Sequence, residues 1–147
     1  MIQLPADFQD FLRLLNDNGV KYLLVGGYAV GYYGFPRPTG DIDFWVGISS
    51  ENAPNIVRVL KAFGFDLPEL RDEQFLKEDQ IIRLGNPPFR IEILTSVSGI
   101  TFEEAYNKRQ KVFFDGIPVD LLSLEDLKKN KAAANRDKDR IDLKNLP

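Results

Sequence analysis

Apolar residues recur at helical spacing near the N-terminus and as short uninterrupted runs further along the chain. Residues 4–18 carry apolar side chains three and four positions apart, on one face of a helix: Leu4, Phe8, Phe11, Leu12 and Leu15. Pro5 near the start and Gly19 just after the end are typical of helix boundaries. The pattern predicts an amphipathic helix, and the apolar run at 21–25 predicts a strand after it.

Spacing, capping residues and turn signals predict further helices and strands beyond residue 40. The expected elements are a strand at 41–46, a helix capped by Ser49 or Ser50 and closed by Gly64, a short helix at 69–77, strands at 81–84 and 89–94, a helix opened by Thr101 with Glu104, a hairpin of strands 111–114 and 117–121 around Asp115-Gly116, and a helical segment at 123–146. No internal repeat, low-complexity block or linker interrupts this order.

Two carboxylates stand in the otherwise apolar strand at 41–46. Asp41 and Asp43 are one residue apart, and strand side chains alternate between faces, so both point the same way. Adjacent carboxylates repel each other unless a cation or protons lie between them. A divalent-metal site is the economical explanation, although an ion-pair site or a structural calcium site would also account for these two acids alone.

A third acid lies in the later strand at 89–94. Alternation in this strand places Arg90, Glu92 and Leu94 on one face. Three carboxylates from two strands are hard to explain as scaffold, because burying them without a cation is unfavourable. The set suits two-metal phosphoryl transfer, in which the acids hold Mg²⁺ and the metal ions bridge the phosphates of a nucleotide.

The glycine pair Gly26-Gly27 follows the strand at 21–25 and precedes Tyr28-Ala29-Val30, which can begin a helix. A strand, a glycine turn and a helix present backbone N–H groups to an anion. A glycine pair alone is weak evidence, since most such pairs are only turns. Together with the downstream carboxylates, it is the expected phosphate-binding turn.

The loop at 34–40 joins this turn to the acidic strand. Pro36 and Pro38 flank Arg37, and each proline keeps the residue before it out of helical geometry. The loop is therefore expected to be stiff and to deliver Arg37 and Thr39 beside Asp41. Arg37 either contacts a ligand phosphate or forms an ion pair with one of the acids.

The C-terminal segment contains a lysine at a position where an apolar residue is expected. If the helix runs unbroken, Leu124, Leu127, Lys131 and Ala134 form one stripe. A lysine on such a stripe usually extends its ammonium group to the surface. Residues 128–140 contain six basic and two acidic side chains, a run typical of a solvated helix face.

Composition narrows the chemistry. The 147 residues suffice for one ordinary domain, and the net charge of −3 argues against a surface that coats nucleic acid. Histidine and cysteine are absent, which excludes Ser-His triads, thiolates and His-ligated zinc and leaves oxygen ligands that favour magnesium or manganese.

No apolar run reaches the length of a membrane span, and Met1–Asp7 does not resemble a signal peptide. We therefore expect a cytoplasmic protein that contacts no membrane.

The order of these motifs resembles the nucleotidyltransferase superfamily with the polymerase-β-like fold. The residues that carry the resemblance are Gly26-Gly27, then Arg37-Pro38-Thr39-Gly40-Asp41-Ile42-Asp43, then Ile91-Glu92-Ile93. The stretch from Ser123 to Leu143 is similar to the C-terminal helical motif of small members, including minimal nucleotidyltransferases and the group related to AbiEii-type toxins. The resemblance implies an α+β fold: a short mixed sheet backed by helices, with a helical C-terminus, in a single nucleotidyltransferase-like domain over residues 1–147.

The resemblance also implies roles for the acids. Asp41, Asp43 and Glu92 would be the catalytic acids and would bind the metal, with Glu92 nearest the attacking hydroxyl. Two residues depart from the family pattern: Glu92 stands where the family more often has Asp, and Gly27 stands where many small members have serine. The extra methylene of Glu92 could displace the catalytic metal ion from its usual position, and Gly27 lacks the hydroxyl contact.

A second group of residues is implied to bind the nucleotide. Gly26 and Gly27 would contact the triphosphate, and Lys131 would reach its phosphates from the C-terminal helix. Asp139 would contribute to the same site. Arg37 and Thr39 complete the expected nucleotide-binding set.

These expectations describe a metal-dependent nucleotidyltransferase that uses Mg²⁺ or Mn²⁺. It would move a nucleoside monophosphate from a nucleoside triphosphate such as ATP to a hydroxyl of RNA, including a tRNA end, or of protein, and release pyrophosphate. By resemblance alone, the toxin of a toxin–antitoxin pair is one biological setting, and an antitoxin or another protein partner and a homodimer stay open. The alternative is a non-catalytic nucleotidyltransferase-like module that binds nucleotide or protein.

Overall fold

Six strands form one mixed sheet in the computed structural model, which describes residues 3–37 and 39–147. The strands are β1 (Tyr22–Val25), β2 (Asp41–Val46), β3 (Ile81–Leu84), β4 (Arg90–Leu94), β5 (Gln110–Phe114) and β6 (Ile117–Leu121). The helices are α1 (Ala6–Asp17), α2 (Gly26–Tyr32), α3 (Asn52–Ala62), α4 (Phe102–Asn107), α5 (Leu124–Ala134) and α6 (Asp137–Asn145). Met1, Ile2 and Pro38 lie outside the described residues, and with them the expectations for the extreme N-terminus and for the second proline of the 34–40 loop.

The sheet order is β3-β4-β2-β1-β6-β5. β2 lies between β1, with which it pairs antiparallel, and β4, with which it pairs parallel. β3 pairs antiparallel with β4, β6 pairs parallel with β1, and β5 and β6 form the hairpin expected around Asp115-Gly116. The prediction of a mixed sheet with helices is confirmed.

The two faces of β2 have different environments. Phe44 contacts Phe11 of α1, with ring centroids 5.7 Å apart, and Phe11 contacts Phe63 at 5.1 Å. This face is the apolar core, into which α1 and α3 bury the stripes that their sequences predict. On the opposite face, which carries Asp41 and Asp43, Trp45 packs edge-on against Phe102 of α4 at 5.2 Å. The alternation of β2 thus separates core from site.

The helical prediction for residues 69–77 is mostly wrong. Only one 3-10 turn forms, at Asp72–Phe75. Phe75 is fully buried and anchors this segment, while most neighbouring side chains are exposed. One buried side chain is too little to support a longer helix, because helices in proteins depend on packing an apolar face.

The C-terminal segment is helical, as predicted, but it forms two helices, so the condition of an unbroken helix is not met. Asn135 takes a left-handed backbone conformation (φ 50°), and its N–H donates to the carbonyl of Lys131. Asparagine tolerates this conformation and commonly ends helices. The break turns α6 back against α5, which decides where the charged side chains of both helices point.

Capping residues explain where two of the helices begin. The Ser123 hydroxyl accepts the N–H of Asp126 at 3.2 Å, and the Ser49 hydroxyl accepts the N–H of Asn52 at 3.0 Å. Thr101, although it has the expected spacing to Glu104, makes no side-chain capping bond within the described part of the chain.

Across residues 3–37 and 39–147, no helix is both long and apolar enough to cross a bilayer.

We expect Ser123→Ala to lower the free energy of unfolding by about 1 kcal/mol, because the N–H of Asp126 loses its acceptor at a buried helix start. Thr101→Ala is the matched control and should cost less than about 0.5 kcal/mol, because no cap is lost. Urea denaturation followed by circular dichroism measures both. Equal losses in the two variants would contradict the capping role of Ser123.

Candidate functional site

The pairing of β2 with β4 brings the three predicted acids together. Asp43 lies opposite Glu92, and Asp41 lies opposite Arg90 on the same parallel ladder. Asp41, Asp43 and Glu92 line one cleft of about 560 Å³, which we call the carboxylate cleft. A volume of this size is ordinary for a small-molecule site.

Gly26 closes one side of this cleft against Asp43. Its backbone has φ +72°, in the left-handed region that favours glycine, and a Cβ on it would lie 2.2 Å from Oδ2 of Asp43. A Cβ on Gly27 would lie 2.9 Å from the Thr39 hydroxyl oxygen. The glycine pair therefore lets the backbone after β1 lie close to the Asp43 carboxylate and the Thr39 hydroxyl.

The central carboxyl group is electrostatically perturbed. Burial raises the pKa of Asp43 well above its usual range. A hydrogen bond with Glu92 and the negative charge of Glu92 raise it further. Two carboxyl groups on directly opposite residues of neighbouring strands favour sharing a proton or a cation. The site is therefore short of positive charge at its centre.

Two arginines compensate the outer carboxylates. Arg90 donates to both oxygens of Asp41, at 3.3 and 3.1 Å, and Arg83 of β3 pairs with Glu92 at 3.0 Å. In residues 3–37 and 39–147, no group of three acids is arranged as a metal-binding cluster. The donor chemistry of Asp41, Asp43 and Glu92 suits Mg²⁺ or Mn²⁺, because all the ligands are carboxylate oxygens. Asp41 would have to exchange Arg90 for the ion.

Lys131 is buried and does not extend to the surface, so that expectation is wrong. The residue is 3% exposed, and its ammonium group lies 3.2 Å from Asp139 and 3.1 Å from Asp142. Both aspartates are buried on α6. The turn at Asn135 folds α6 back so that two carboxylates surround the lysine, and ion pairing offsets the desolvation of its charge.

Two arginines complete this buried ionic cluster. Arg37 forms a paired contact with Asp142, at 2.8 and 2.9 Å, and Arg136 donates to Asp139 at 2.7 Å. Burial alone raises the pKa of Asp139, but hydrogen bonds from Arg136 and Lys131 lower it to about 2. Asp142 is likewise held below its usual pKa by Arg37 and Lys131, against the effect of burial. The cluster ties the 34–40 loop to α5 and α6.

The structure thus distributes the predicted nucleotide-binding residues between the cleft and this cluster. Gly26, Gly27, Arg37, Thr39 and Lys131 line the cleft beside the three acids. Arg37 is paired with Asp142, so it does not form the ion pair with Asp41 or Asp43 that the sequence left open. The Thr39 hydroxyl donates to the backbone carbonyl of Asp41 at 3.1 Å. Asp139 is fully buried and does not line the cleft. It forms ion pairs with Lys131 and Arg136, which do line it.

Sequence reasoning missed most of the cations of the cleft. Its lining includes six basic side chains and three acidic ones: Arg37, Arg83, Arg90, Lys131, Arg136 and Lys138, with Asp41, Asp43 and Glu92. Arg90 was detectable, because it stands two residues before Glu92 and shares its face. Arg83 requires the β3–β4 register, and Arg136 and Lys138 require the turn between α5 and α6.

The fold is that of the polymerase-β-like nucleotidyltransferases. The lincosamide antibiotic adenylyltransferase LnuA, in its lincomycin-bound crystal structure, superposes with a TM-score of 0.59 at 15% identity, covering 99% of this chain and 98% of LnuA. An antigenic nucleotidyltransferase-like protein from Paracoccidioides brasiliensis gives a TM-score of 0.55 at 19% identity, over 95% of this chain and 72% of that protein. The expectation of this fold is confirmed.

Sequence comparison alone gives no such match. No protein-family model matches the chain, and no curated protein matches it in sequence. At identities of 15% and 19%, the structural similarity establishes the fold, and the chemistry has to be argued from the residues of the cleft.

We expect Lys131→Met to lower the free energy of unfolding by about 3 kcal/mol, because Asp139 and Asp142 lose a shared cation in a buried environment. Lys129→Met is the control. It removes an exposed ion pair between Lys129 and Glu125, which lies one helical turn earlier, and should lower the free energy of unfolding by less than about 0.5 kcal/mol. Urea denaturation at neutral pH measures both values. A loss for Lys131→Met no larger than that of its control would contradict a stabilising role for the cluster.

Proposed function

We propose that this protein transfers a nucleoside monophosphate from a nucleoside triphosphate to an acceptor hydroxyl and releases pyrophosphate. The observation that carries the proposal is the meeting of Asp41, Asp43 and Glu92 with Gly26 in one cleft that also has six basic side chains. Basic side chains that line a cleft suit the phosphates of a triphosphate, and the carboxylates suit the metal ions that accompany it. The fold supports the same reaction class.

Each part of the cleft has a role in this proposal. The basic side chains attract and orient the triphosphate, and the glycine pair leaves room for it beside Asp43. Glu92, paired with Arg83, accepts the proton of the attacking hydroxyl. Mg²⁺ or Mn²⁺ held by Asp41, Asp43 and Glu92 would stabilise the phosphate charge and acidify that hydroxyl.

The acceptor can belong to one of several chemical classes. RNA, including a tRNA end, and protein hydroxyls follow from the resemblance to small nucleotidyltransferases, as do the AbiEii-type toxin setting and an antitoxin partner. LnuA is named an adenylyltransferase of lincosamide antibiotics. That name adds a small organic molecule to the candidate acceptors and favours ATP as the donor.

A non-catalytic nucleotide-binding module is the second candidate function. The observation that favours it is the engagement of both Asp41 oxygens by Arg90, which leaves this carboxylate neutralised by the protein itself. A domain that binds nucleotide without metal would use such an arrangement. Transfer and metal binding separate the two candidates.

Incubation of the protein with α-phosphate-labelled ATP, GTP, CTP or UTP and Mg²⁺ or Mn²⁺ tests the proposed reaction. Acceptors are total tRNA, the protein itself and a set of hydroxylated small molecules. We expect label transfer that falls at least about 100-fold in Asp41→Asn and Asp43→Asn, because both substitutions remove charge where the phosphates react. Radiometric product analysis measures the transfer.

Asp17→Asn, on the exposed end of α1, is the matched control and should transfer label like the wild type. Circular dichroism verifies that the variants are folded. Nucleotide binding without transfer to any acceptor, and unaffected by chelation of divalent ions, would favour the binding module. Transfer that survives in both aspartate variants would contradict the assignment of this cleft.

We expect Arg90→Gln to raise the affinity for Mn²⁺ in the absence of nucleotide by about three- to tenfold, because a positive charge that competes for Asp41 is removed. Arg13→Gln, whose partner Asp10 lies on α1, is the control and should bind Mn²⁺ like the wild type. Electron paramagnetic resonance of free Mn²⁺ measures the affinity. An unchanged or weaker affinity in Arg90→Gln would show that this arginine does not oppose the metal.

A further inference from the structure

A second and larger cavity adjoins the carboxylate cleft. It has a volume of about 820 Å³, and Trp45, Phe102 and Tyr106 form its aromatic wall, so we call it the aromatic cavity. Phe102 and Tyr106 stack with their ring centroids 5.3 Å apart. Stacked aromatic side chains in a concave site are a common binding surface for the apolar body of a small organic molecule.

The aromatic cavity and the carboxylate cleft share one wall. Ser96, Val97 and Ser98 line both. Ser96 is fixed in place, because its hydroxyl donates to the Asp79 carboxylate at 2.9 Å and accepts the Asp79 N–H at 3.0 Å. A molecule seated in the aromatic cavity therefore lies next to the cleft, separated by one short segment of chain.

Strand geometry gives the separation between the two sites. Trp45 follows Asp43 by two residues on β2, and Leu94 follows Glu92 by two residues on β4, with Trp45 opposite Leu94. Two residues along a strand span about 7 Å, and both pairs point to the same face of the sheet. The two sites therefore lie about one strand repeat apart on the same face of the sheet, and a molecule in the aromatic cavity whose hydroxyl extends past the Ser96–Ser98 segment would approach Glu92.

The two sites differ in charge. The charged residues that line the aromatic cavity are Lys21 and three acids, Glu78, Asp79 and Glu103, whereas basic residues outnumber acids two to one in the cleft. The Lys21 ammonium lies 6.0 Å from the Tyr106 ring centroid, over the aromatic wall. A net negative rim disfavours a polyanion such as RNA and favours a cation.

Trp45 adds a polar feature to the wall. Its indole N–H is buried and has no hydrogen-bond acceptor among the described residues. Buried donors are normally satisfied by protein, water or ligand. Trp45 lines the aromatic cavity, and its unpartnered donor is the kind of group that a ligand or a water molecule satisfies.

We propose that the aromatic cavity binds the acceptor, and that the acceptor is a small cationic molecule with an apolar ring and a hydroxyl group. This inference rests on the proposed nucleotidyl transfer. In that reaction the acceptor oxygen forms a bond to the α-phosphorus and the bond from that phosphorus to the β-phosphate oxygen breaks. Pyrophosphate leaves, and the hydroxyl proton passes to the Glu92 carboxylate.

A series of three probes tests the chemistry of the cavity. 2-Amino-1-phenylethanol, 1-phenylethanol and mandelate share a phenyl ring and a secondary hydroxyl and differ in charge, being cationic, neutral and anionic. Saturation-transfer NMR on the full chain should give the tightest binding for the amine, about tenfold tighter than for mandelate. A single-stranded RNA oligonucleotide should not displace the amine.

Two pairs of variants locate the binding. Glu78→Gln combined with Glu103→Gln should reduce the preference for the amine to about twofold or less, whereas Glu104→Gln, on the neighbouring position of α4 but outside the cavity lining, should retain it. Asn107→Trp places a large side chain at the exposed rim of the cavity. It should weaken the binding of all three probes about tenfold, because the new side chain blocks a contact between the probe's ring and the aromatic wall. Glu104→Trp is its control and should bind them normally.

ATP binding measured on the same proteins separates this inference from the proposed function. Binding of ATP with no preference for the amine, tighter binding of mandelate, or displacement of the amine by RNA would each overturn the inference and leave the transfer reaction standing. Loss of ATP binding together with an intact amine preference would overturn the proposed function instead. The amine preference, its loss in the Glu78 and Glu103 double variant and normal ATP binding together support the inference.

Discussion

The register of β2 between β1 and β4 is the constraint on which the candidate site depends. It places Val25 and Glu92 on either side of Asp43, and Gly26 follows directly on Val25. A slip of one residue would turn the aspartates toward α1 and α3 and expose the residues now buried there. Burial of Ile42 and Phe44 on the core face therefore holds the carboxylates in place on the other face. Core packing and site geometry are enforced by the same strand.

Carboxylates and basic side chains reach the site from different parts of the fold. The carboxylates come from the middle of the sheet, while the surrounding cations come from β3, β4, the 34–40 loop, and the α5–α6 region. The buried cluster of Lys131, Asp139 and Asp142 with Arg37 joins that loop to the C-terminal helices. The helices thereby bring basic side chains to the lining of the cleft, whereas the aromatic cavity beyond the shared Ser96–Ser98 wall has a negative rim. Such a division suits two ligands of opposite charge meeting at one carboxylate.

The predicted features that match the structure are local in sequence. Asp41 and Asp43 share a face because strand periodicity requires it, and Gly26 follows β1 in a left-handed backbone conformation that favours glycine, close to the Asp43 carboxylate. Lys131 shows the opposite case. The sequence placed it on the apolar stripe but favoured an ammonium group at the surface, because its partners lie on a second helix that begins after Asn135 ends the first. Helical periodicity cannot reveal such a turn when the sequence on both sides favours helix.

By itself, the sequence determined the apolar stripe of α1, the strands and hairpin, the glycine turn, the acids and their faces, because each follows from spacing along a single element. Tertiary structure decided which elements meet: the parallel register that sets Asp43 against Glu92, the guanidinium groups that hold Asp41 and Glu92, and the folding back of α6 onto Lys131. It also created the aromatic cavity, whose wall combines Trp45 of β2 with Phe102 and Tyr106 of α4. These contacts join residues distant in the chain, and their energies depend on burial and on the partner across the contact, which no local pattern records.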